Sequence, residues 1–301
     1  MALLSGIEES KVVLEKLKER IAYLNETNNI IPVLAIVQVG NREDSNVYIN
    51  SKILKAKAIG MEGRLIKLDQ DITQQELEDE IAKLNKDDKV DGIIIQLPLD
   101  CTKKIDVDSV IDQIDSWKDV DGLTRFNAGR LHRGEMEAIT PCTPAGCLLL
   151  VKRALGDNGQ LRGKTVTIVG RSKIVGAPAL SLFLWANCTV TVCHSQTVDL
   201  KKHCQQADIL LVAIGRKHFI KGDYVKPGAI VIDCGINVEP NEDKTKKNKI
   251  YGDVDTDEAR KIASFITPVP GGVGPMTVAM LLHNTVQQCF ARRLGTVMSL
   301  E

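Results

Sequence analysis

The stretch TVTIVGRSKIVGAPALSLFLW, residues 165–185, most narrows what this chain can fold into. A short apolar run rich in β-branched residues ends on Gly170, and a second apolar segment opens at Gly176 with Pro178 in its first turn. A strand, a glycine turn and a helix in immediate succession begin a βαβ unit, whose next strand runs parallel to the first. Further apolar runs at 190–193, 209–214 and 229–233 are separated by stretches long enough for connecting helices. The spacing predicts a doubly wound parallel sheet of the dinucleotide-binding kind.

The first half reads as another α/β unit. Ser5-Gly6-Ile7-Glu8 has the form of a capping box, and Leu14, Leu17, Ile21 and Leu24 follow on one helical face. A strand at 32–39 (PVLAIVQV) ends at Gly40, and a helix runs from Asp44-Ser45 to just before Gly60. Thr73 and Glu76 cap a further helix carrying Leu77, Ile81 and Leu84. Gly92-Ile93-Ile94-Ile95-Gln96 is a continuous apolar run, as expected of a strand buried on both faces. A helix with Thr143 as N-cap and Pro144 at its first position opens the second half and ends near Gly156. Residues 275–292 form a long apolar helix, and the lysine-rich run 244–249 reads as a solvated loop.

Charge and cysteine usage narrow the function. The 301 residues carry 39 Lys and Arg against 39 Asp and Glu, a net charge of zero. A nucleic-acid-binding surface shows a basic excess, so no nucleic acid is expected, whereas a small anionic cofactor on a local cluster remains compatible. The eight cysteines contain no CxxC pair, which argues against a metal or redox motif and for reduced, mostly buried thiols. No apolar run approaches the ~18 residues of a membrane helix, and Glu8 and Glu9 stand where a signal sequence would be apolar. The expectation is a cytoplasmic enzyme with no membrane partner.

Gly170-Arg171-Ser172-Lys173-Ile174-Val175-Gly176 lies where backbone N–H groups and a helix dipole can hold a pyrophosphate. It departs from GxGxxG, with Ser172 at the second glycine and the closing glycine displaced, so a purely structural turn stays open. NAD enzymes place an acid about 20 residues further on. Here 193–197 reads CHSQT, with no acid before Asp199. Ser195 with Arg171 suits a 2′-phosphate and favours NADP; His194 is equally an exposed strand-end histidine.

Tyr48 and Lys52 are four apart and share a helical face beside the apolar stripe of Ile49, Ile53 and Ala56. Alone, YxxxK is equally an ordinary surface pair. Gln96-Leu97-Pro98-Leu99-Asp100 ends a buried strand, where open α/β sheets bind ligands. Residues 118–123 (KDVDGL) form a short acidic loop without the spacing of a calcium site.

Taken together, SNVYINSK, IIIQLPLD, KDVDGLTRFNAGRL, PCTPAG, VGRSKIVGAP and FITPVPGGVGPMTVAMLLHNT resemble the bifunctional methylenetetrahydrofolate dehydrogenase/cyclohydrolase family. The block PVPGGVGPMT at 268–277 is the most specific of them. The chain is most similar to the NADP-dependent cytosolic branch. Its members often form the N-terminal unit of a trifunctional C1-tetrahydrofolate synthase, which leaves open a fused formate–tetrahydrofolate ligase domain in a longer protein. Ser51 departs from the more usual apolar residue at its position.

The resemblance implies an α/β fold of two parallel-sheet domains, the second Rossmann-like, with the C-terminal helix returning to the first. Residues 1–142 plus 276–301 would bind folate and carry catalysis, and 143–275 would bind NADP. Lys52 would be the catalytic lysine, with Tyr48, Gln96 and Asp121 as the other catalytic residues, Tyr48 stacking on the aminobenzoyl ring and Asp121 bonding the pterin. Tetrahydrofolate derivatives would contact Tyr48, Ile49, Asn50, Ser51, Lys52, Ile95, Gln96, Leu97, Asp121, Pro270, Gly271, Gly272, Val273 and Gly274. NADP would contact Thr143, Gly170, Arg171, Ser172, Ser195, Ile236 and Thr277. A homodimer is implied.

Such an enzyme oxidises 5,10-methylenetetrahydrofolate to the methenyl cation with NADP and hydrolyses that cation to 10-formyltetrahydrofolate in one cleft. Hydride transfer asks for positioning; hydrolysis asks for proton movement, which Lys52 would supply as general acid/base. A different two-domain NADP dehydrogenase, or a binding module without activity, would leave PVPGGVGPMT or the retained Tyr48, Lys52, Gln96 and Asp121 unexplained.

Overall fold

A computed structural model describes residues 2–135, 137–157, 159–241 and 248–296. Its strands are β1 (Ala2–Leu3), β2 (Val33–Val39), β3 (Glu62–Leu68), β4 (Gly92–Ile95), β5 (Thr165–Val169), β6 (Thr189–Cys193), β7 (Ile209–Val212), β8 (Ile230–Asp233), β9 (Asn237–Glu239), β10 (Lys249–Tyr251) and β11 (Phe265–Ile266). Its helices are α1 (Gly6–Asn28), α2 (Glu43–Ala58), α3 (Gln74–Lys86), α4 (Val107–Ile111), α5 (Arg125–His132), α6 (Cys142–Leu155), α7 (Gly176–Trp185), α8 (Leu200–Gln205), α9 (Thr256–Ala259) and α10 (Val273–Leu294). Of the lysine-rich run expected to be a loop, 244–247 lie outside the described residues, and Lys249 begins β10.

Contacts divide the chain into two units, Lys11–Cys142 with Val278–Glu301, and Met1–Ser10 with Thr143–Thr277. The C-terminal helix therefore returns to the unit of the early strands. The expected division differs at both ends, because it put residues 1–10 and 276–277 with the first domain. β1 pairs in parallel with β11, Leu4 N–H donates to Ile266 O at 2.9 Å, and Ile7 N–H donates to Gly271 O at 3.1 Å. A two-residue edge strand is too short to show a period, so the sequence pattern could not assign it.

In the unit of Lys11–Cys142, β2 lies between β3 and β4 in a parallel sheet. Every residue of β2 and β4 is buried, as their largely apolar runs require, with Gln38 the one polar side chain among them. β3 is half exposed and mixes Arg64 and Lys67 with Leu65 and Ile66, which is why its sequence reads as no strand. α3 buries Leu77, Ile81 and Leu84 behind the Thr73–Glu76 capping box, whose two halves are both formed. Leu17 and Leu24 of α1 are fully buried too, each a position where truncation to Ala would cost about 2–5 kcal/mol.

α10 carries a buried histidine, His283, neither of whose ring nitrogens makes a hydrogen bond among the described residues. Burial pulls its pKa down to about 4, with the Asn284 amide opposing and Arg20 of α1 reinforcing the shift. The folded value lies below the ordinary 6.5, so stability from the neutral ring is complete above about pH 6.5 and is lost as pH falls toward 4. The loss at the acid end is on the order of 3 kcal/mol. His283→Leu should flatten the fall in unfolding free energy across that window; an equally steep fall in the variant would show that His283 does not titrate as stated.

The other unit holds a six-stranded sheet in the order β1-β11-β8-β7-β5-β6, with every neighbouring pair parallel. From β5 the chain winds out to β6 and then back across to β7, so the switch in winding direction lies beside β5. That is where open α/β sheets leave a crevice beyond the carboxyl ends of the strands. β9 and β10 form a separate antiparallel pair. α6 begins at Cys142, so Thr143 lies inside its first turn instead of capping it.

Candidate active site

α2 turns Ser45, Ile49 and Ala56 to the core, with Glu43 and Asp44 in its first turn where the helix dipole favours acids. Tyr48 and Lys52 share the adjoining face, and Tyr48 is 43% exposed. Lys52 Nζ donates to Gln96 Oε1 at 2.9 Å. Gln96 stands just past the end of β4, where its own N–H still bonds Val37 O at 2.8 Å. Its Nε2 donates to Leu97 O at 2.8 Å. An ammonium has only donors, so the amide must offer it oxygen, and the second bond fixes that orientation.

The loop 118–122 divides its charges between scaffold and site. Lys118 is buried and donates to the carbonyls of Leu84, Asn85 and Asp87 at the C-terminal end of α3. Asp119 accepts from Leu123 N–H, Thr124 N–H, Thr124 Oγ1 and Asn127 Nδ2. Asp121 is the acid left over. Burial pushes its carboxyl above the ordinary carboxylate range; the Lys52 ammonium opposes the shift and Asp119 adds to it. The Cys142 thiol lies 3.7 Å from Asp121 Oδ1, and burial drives its own pKa well up.

The remaining expected substrate residues differ in placement. Ile49 and Ile95 are buried, 1% and 6% exposed. Ser51 and Leu97 are half-buried, whereas Asn50 is exposed and leaves α2 about 160° away from Tyr48 and Lys52. Pro270, Gly271 and Gly272 belong to the other unit, in the segment leading to α10, whose first residues are Val273 and Gly274.

In that other unit, Gly170 ends β5 with φ +123°, and a Cβ there would lie 2.2 Å from Ala213 O. Only glycine fits a turn this close to β7. Ser172 Oγ accepts from Val175 N–H at 3.1 Å and so holds the turn that leads into α7. Arg171 and Ser195 each stand two residues past the paired positions Val169 and Cys193, at neighbouring strand ends. Both are exposed, and no acid precedes Asp199. Thr143 and Thr277 meet with their hydroxyls 3.0 Å apart, and Ile236, 49% exposed, follows the end of β8. A bare glycine turn leading to a helix N-terminus, with strand ends without an acid, fits a dinucleotide with a 2′-phosphate. Among the described residues no group of His, Cys, Asp or Glu side chains is arranged to hold a metal ion.

Several structuring residues escaped the sequence reading. Asp253 accepts from Ile214, Gly215 and Arg216 N–H, and Asp233 accepts from Gly235, Asp253 and Val254 N–H. Burial pushes Asp233 up to about 6. The two carboxyls pin the loops after β7 and β8; the only hint was an acid closing the apolar run before Cys234. Asn284 and Cys142, which touch the Asp121 loop, were missed because their partners lie far away along the chain.

A family model for the tetrahydrofolate dehydrogenase/cyclohydrolase catalytic domain matches residues 4–121, and one for the NAD(P)-binding domain of the same family matches 141–293. A cytoplasmic C-1-tetrahydrofolate synthase of Drosophila melanogaster is 48% identical over 97% of the chain, which spans only 30% of that relative's length. The bifunctional protein FolD of Zymomonas mobilis is 47% identical, with 95% of each covered. A Trypanosoma brucei methylenetetrahydrofolate dehydrogenase-cyclohydrolase, solved with NADP cofactor and inhibitor, superposes with a TM-score of 0.91 at 35% identity, covering 98% of this chain and 99% of that one.

Proposed function

The chain belongs to the tetrahydrofolate dehydrogenase/cyclohydrolase family, with NADP as its cofactor, and on that premise we propose that Lys52 is the group that separates its two reactions. The first oxidises 5,10-methylenetetrahydrofolate to the methenyl cation. The second hydrolyses that cation to 10-formyltetrahydrofolate. NADP supplies the hydride acceptor for the first. The protein's part there is to hold the reacting carbon, with Tyr48 against the aminobenzoyl ring and Asp121 on the pterin.

Hydrolysis needs proton movement. Water adds to the cationic carbon and loses a proton; the bond to N5 then breaks as the new hydroxyl gives up its proton and N5 gains one. One proton is released in all. An amine that alternately accepts and returns a proton serves both stages, an effect typically worth about 10²–10⁴-fold. The observation that carries this reading is the 2.9 Å bond from Lys52 to Gln96, with the Asp121 carboxyl within electrostatic reach of the same ammonium. Both reactions are assigned to one bound folate.

Wild-type protein given methenyltetrahydrofolate without NADP should hydrolyse it faster than buffer does. A rate equal to the spontaneous one would contradict the second activity. On the cofactor side, Arg171 and Ser195 at adjacent strand ends support the 2′-phosphate contact. Ser195→Asp should lower kcat/KM for NADP by about tenfold or more through like-charge repulsion and change NAD much less. Equal wild-type specificity constants for the two cofactors would overturn this assignment.

Similarity to cytoplasmic C-1-tetrahydrofolate synthases supports a cytoplasmic location and, in a longer protein, a neighbouring formate–tetrahydrofolate ligase domain. A homodimer is proposed as well, and light scattering checks it.

A further inference from the structure

We infer that Asn284 of α10 is a positioning residue for Asp121, fixing where that carboxyl stands by tying down the chain around it. The inference rests on the reading of Asp121 as a group that binds the pterin. Asn284 is 4% exposed, and its Nδ2 donates to Val120 O and to Thr140 O, both at 2.9 Å. A side-chain amide nitrogen carries two hydrogens, and both are used. Val120 immediately precedes Asp121; Thr140 lies on the segment that closes behind it.

Gly122, the next residue on the other side, has φ +69°, and a Cβ there would lie 2.8 Å from Ile139 O and from Pro141 N. Both neighbours of Asp121 are therefore held against residues 139–141, one through the Asn284 amide and the other by direct backbone approach. Cys142 completes the cluster, with Sγ 3.4 Å from Val120 O and 3.7 Å from Asn284 Nδ2. Packing alone would be served by leucine at 284. An amide there satisfies two backbone carbonyls far apart in sequence, and leaving a buried acceptor unsatisfied is costly. Its effect falls on the backbone beside the one acid of this loop that is not committed to the scaffold, and a misplacement of about 1 Å at such a group is enough to lose about 10²-fold in rate.

Two variants of the full chain probe this. Asn284→Asp keeps the shape but sets an oxygen against the two carbonyls, and Asn284→Ser keeps a single donor on a shorter stem. Asn284→Ser should raise KM for methylenetetrahydrofolate about tenfold, the equivalent of one buried hydrogen bond, while KM for NADP moves less than about twofold. Asn284→Asp should raise it further, and thermal unfolding of each variant shows that the protein measured is folded. The deciding step is a double-mutant cycle with Asp121→Asn. If Asn284 works through Asp121, adding Asn284→Ser to Asp121→Asn changes folate KM by less than about twofold. Effects that multiply in the two backgrounds, or an unchanged KM in Asn284→Ser, overturn the inference while leaving the site intact. Asp121→Asn with wild-type folate KM overturns the reading of Asp121 itself, and the inference with it.

Discussion

Lys52→Met loses about 10²–10⁴-fold of methenyltetrahydrofolate hydrolysis and keeps a measurable share of NADP-dependent oxidation. Methionine preserves the length and apolar stem of the side chain and removes the proton carrier. Gln96 Oε1 loses its lysine partner but is only half-buried, so water replaces it and the strand end stays formed. Oxidation creates no group that the amine must protonate, and its requirement is geometric. A second signature follows from Asp121. Burial already lifts its carboxyl, and the Lys52 ammonium holds it back; without that cation it rises further. If the pterin prefers the carboxylate, folate binding by the variant should weaken on the acid side at a higher pH than in wild type. Steady-state oxidation across pH, paired with decay of added methenyltetrahydrofolate, measures both effects. Hydrolysis at the wild-type rate would remove Lys52 from the mechanism.

The largest effect on stability is expected at the other end of the same unit. Arg293 donates from Nε to Asp91 Oδ1 at 2.8 Å and from Nη2 to Asp91 Oδ2 at 2.9 Å, and Nη2 also bonds Lys89 O. The Asp91 side chain is fully buried and accepts from Val33 N–H as well, so it joins the start of the central strand to the last turn of α10. Arg293→Ala leaves a buried carboxylate without its bidentate cation, with Arg292 Nη1 the remaining one at 3.7 Å. Breaking such a pair costs about 3–5 kcal/mol, on the order of 10 °C in Tm for a unit of this size. Burial holds the Asp91 carboxyl above its ordinary value even with arginine opposing, and losing that arginine raises it further. Protonated Asp91 needs no cation. The folded pKa is then above the unfolded one, so stability is lost as pH rises through it, and the variant should be weaker at about pH 8 than at about pH 5. A shift in Tm of less than about 2 °C at about pH 8 would show that the pair contributes little.

Legibility in the sequence followed the physics of each element. Apolar, β-branched-rich runs made β2, β4 and β5 readable because both faces of a parallel strand are covered, and the Thr73–Glu76 box was readable because its partners are three residues apart. β3 was hidden by its exposed edge, and β1 by its two-residue length. The same rule holds at the site. Tyr48 and Lys52 share a face of one helix, so their pairing is local. That Lys52 bonds Gln96, 44 residues on, is not legible from spacing. The supporting contacts stayed invisible: Asn284 reaches back 164 residues to Val120, and Arg293 reaches back 202 to Asp91. Within 118–122 nothing in the letters tells the scaffold acid Asp119 from Asp121; only the four donors gathered round Asp119 do.

The central claim is that one chain carries a dehydrogenase and a cyclohydrolase, the second depending on Lys52. It is tested most directly by giving wild type and Lys52→Met the same 5,10-methylenetetrahydrofolate with NADP and following reduced cofactor, methenyl compound and 10-formyltetrahydrofolate in one time course. Wild type should form reduced cofactor and 10-formyltetrahydrofolate nearly together with little methenyl compound, and the variant should accumulate methenyl compound as fast as cofactor is reduced. Equal yields of 10-formyltetrahydrofolate from both proteins, or no reduced cofactor from wild type, would contradict it.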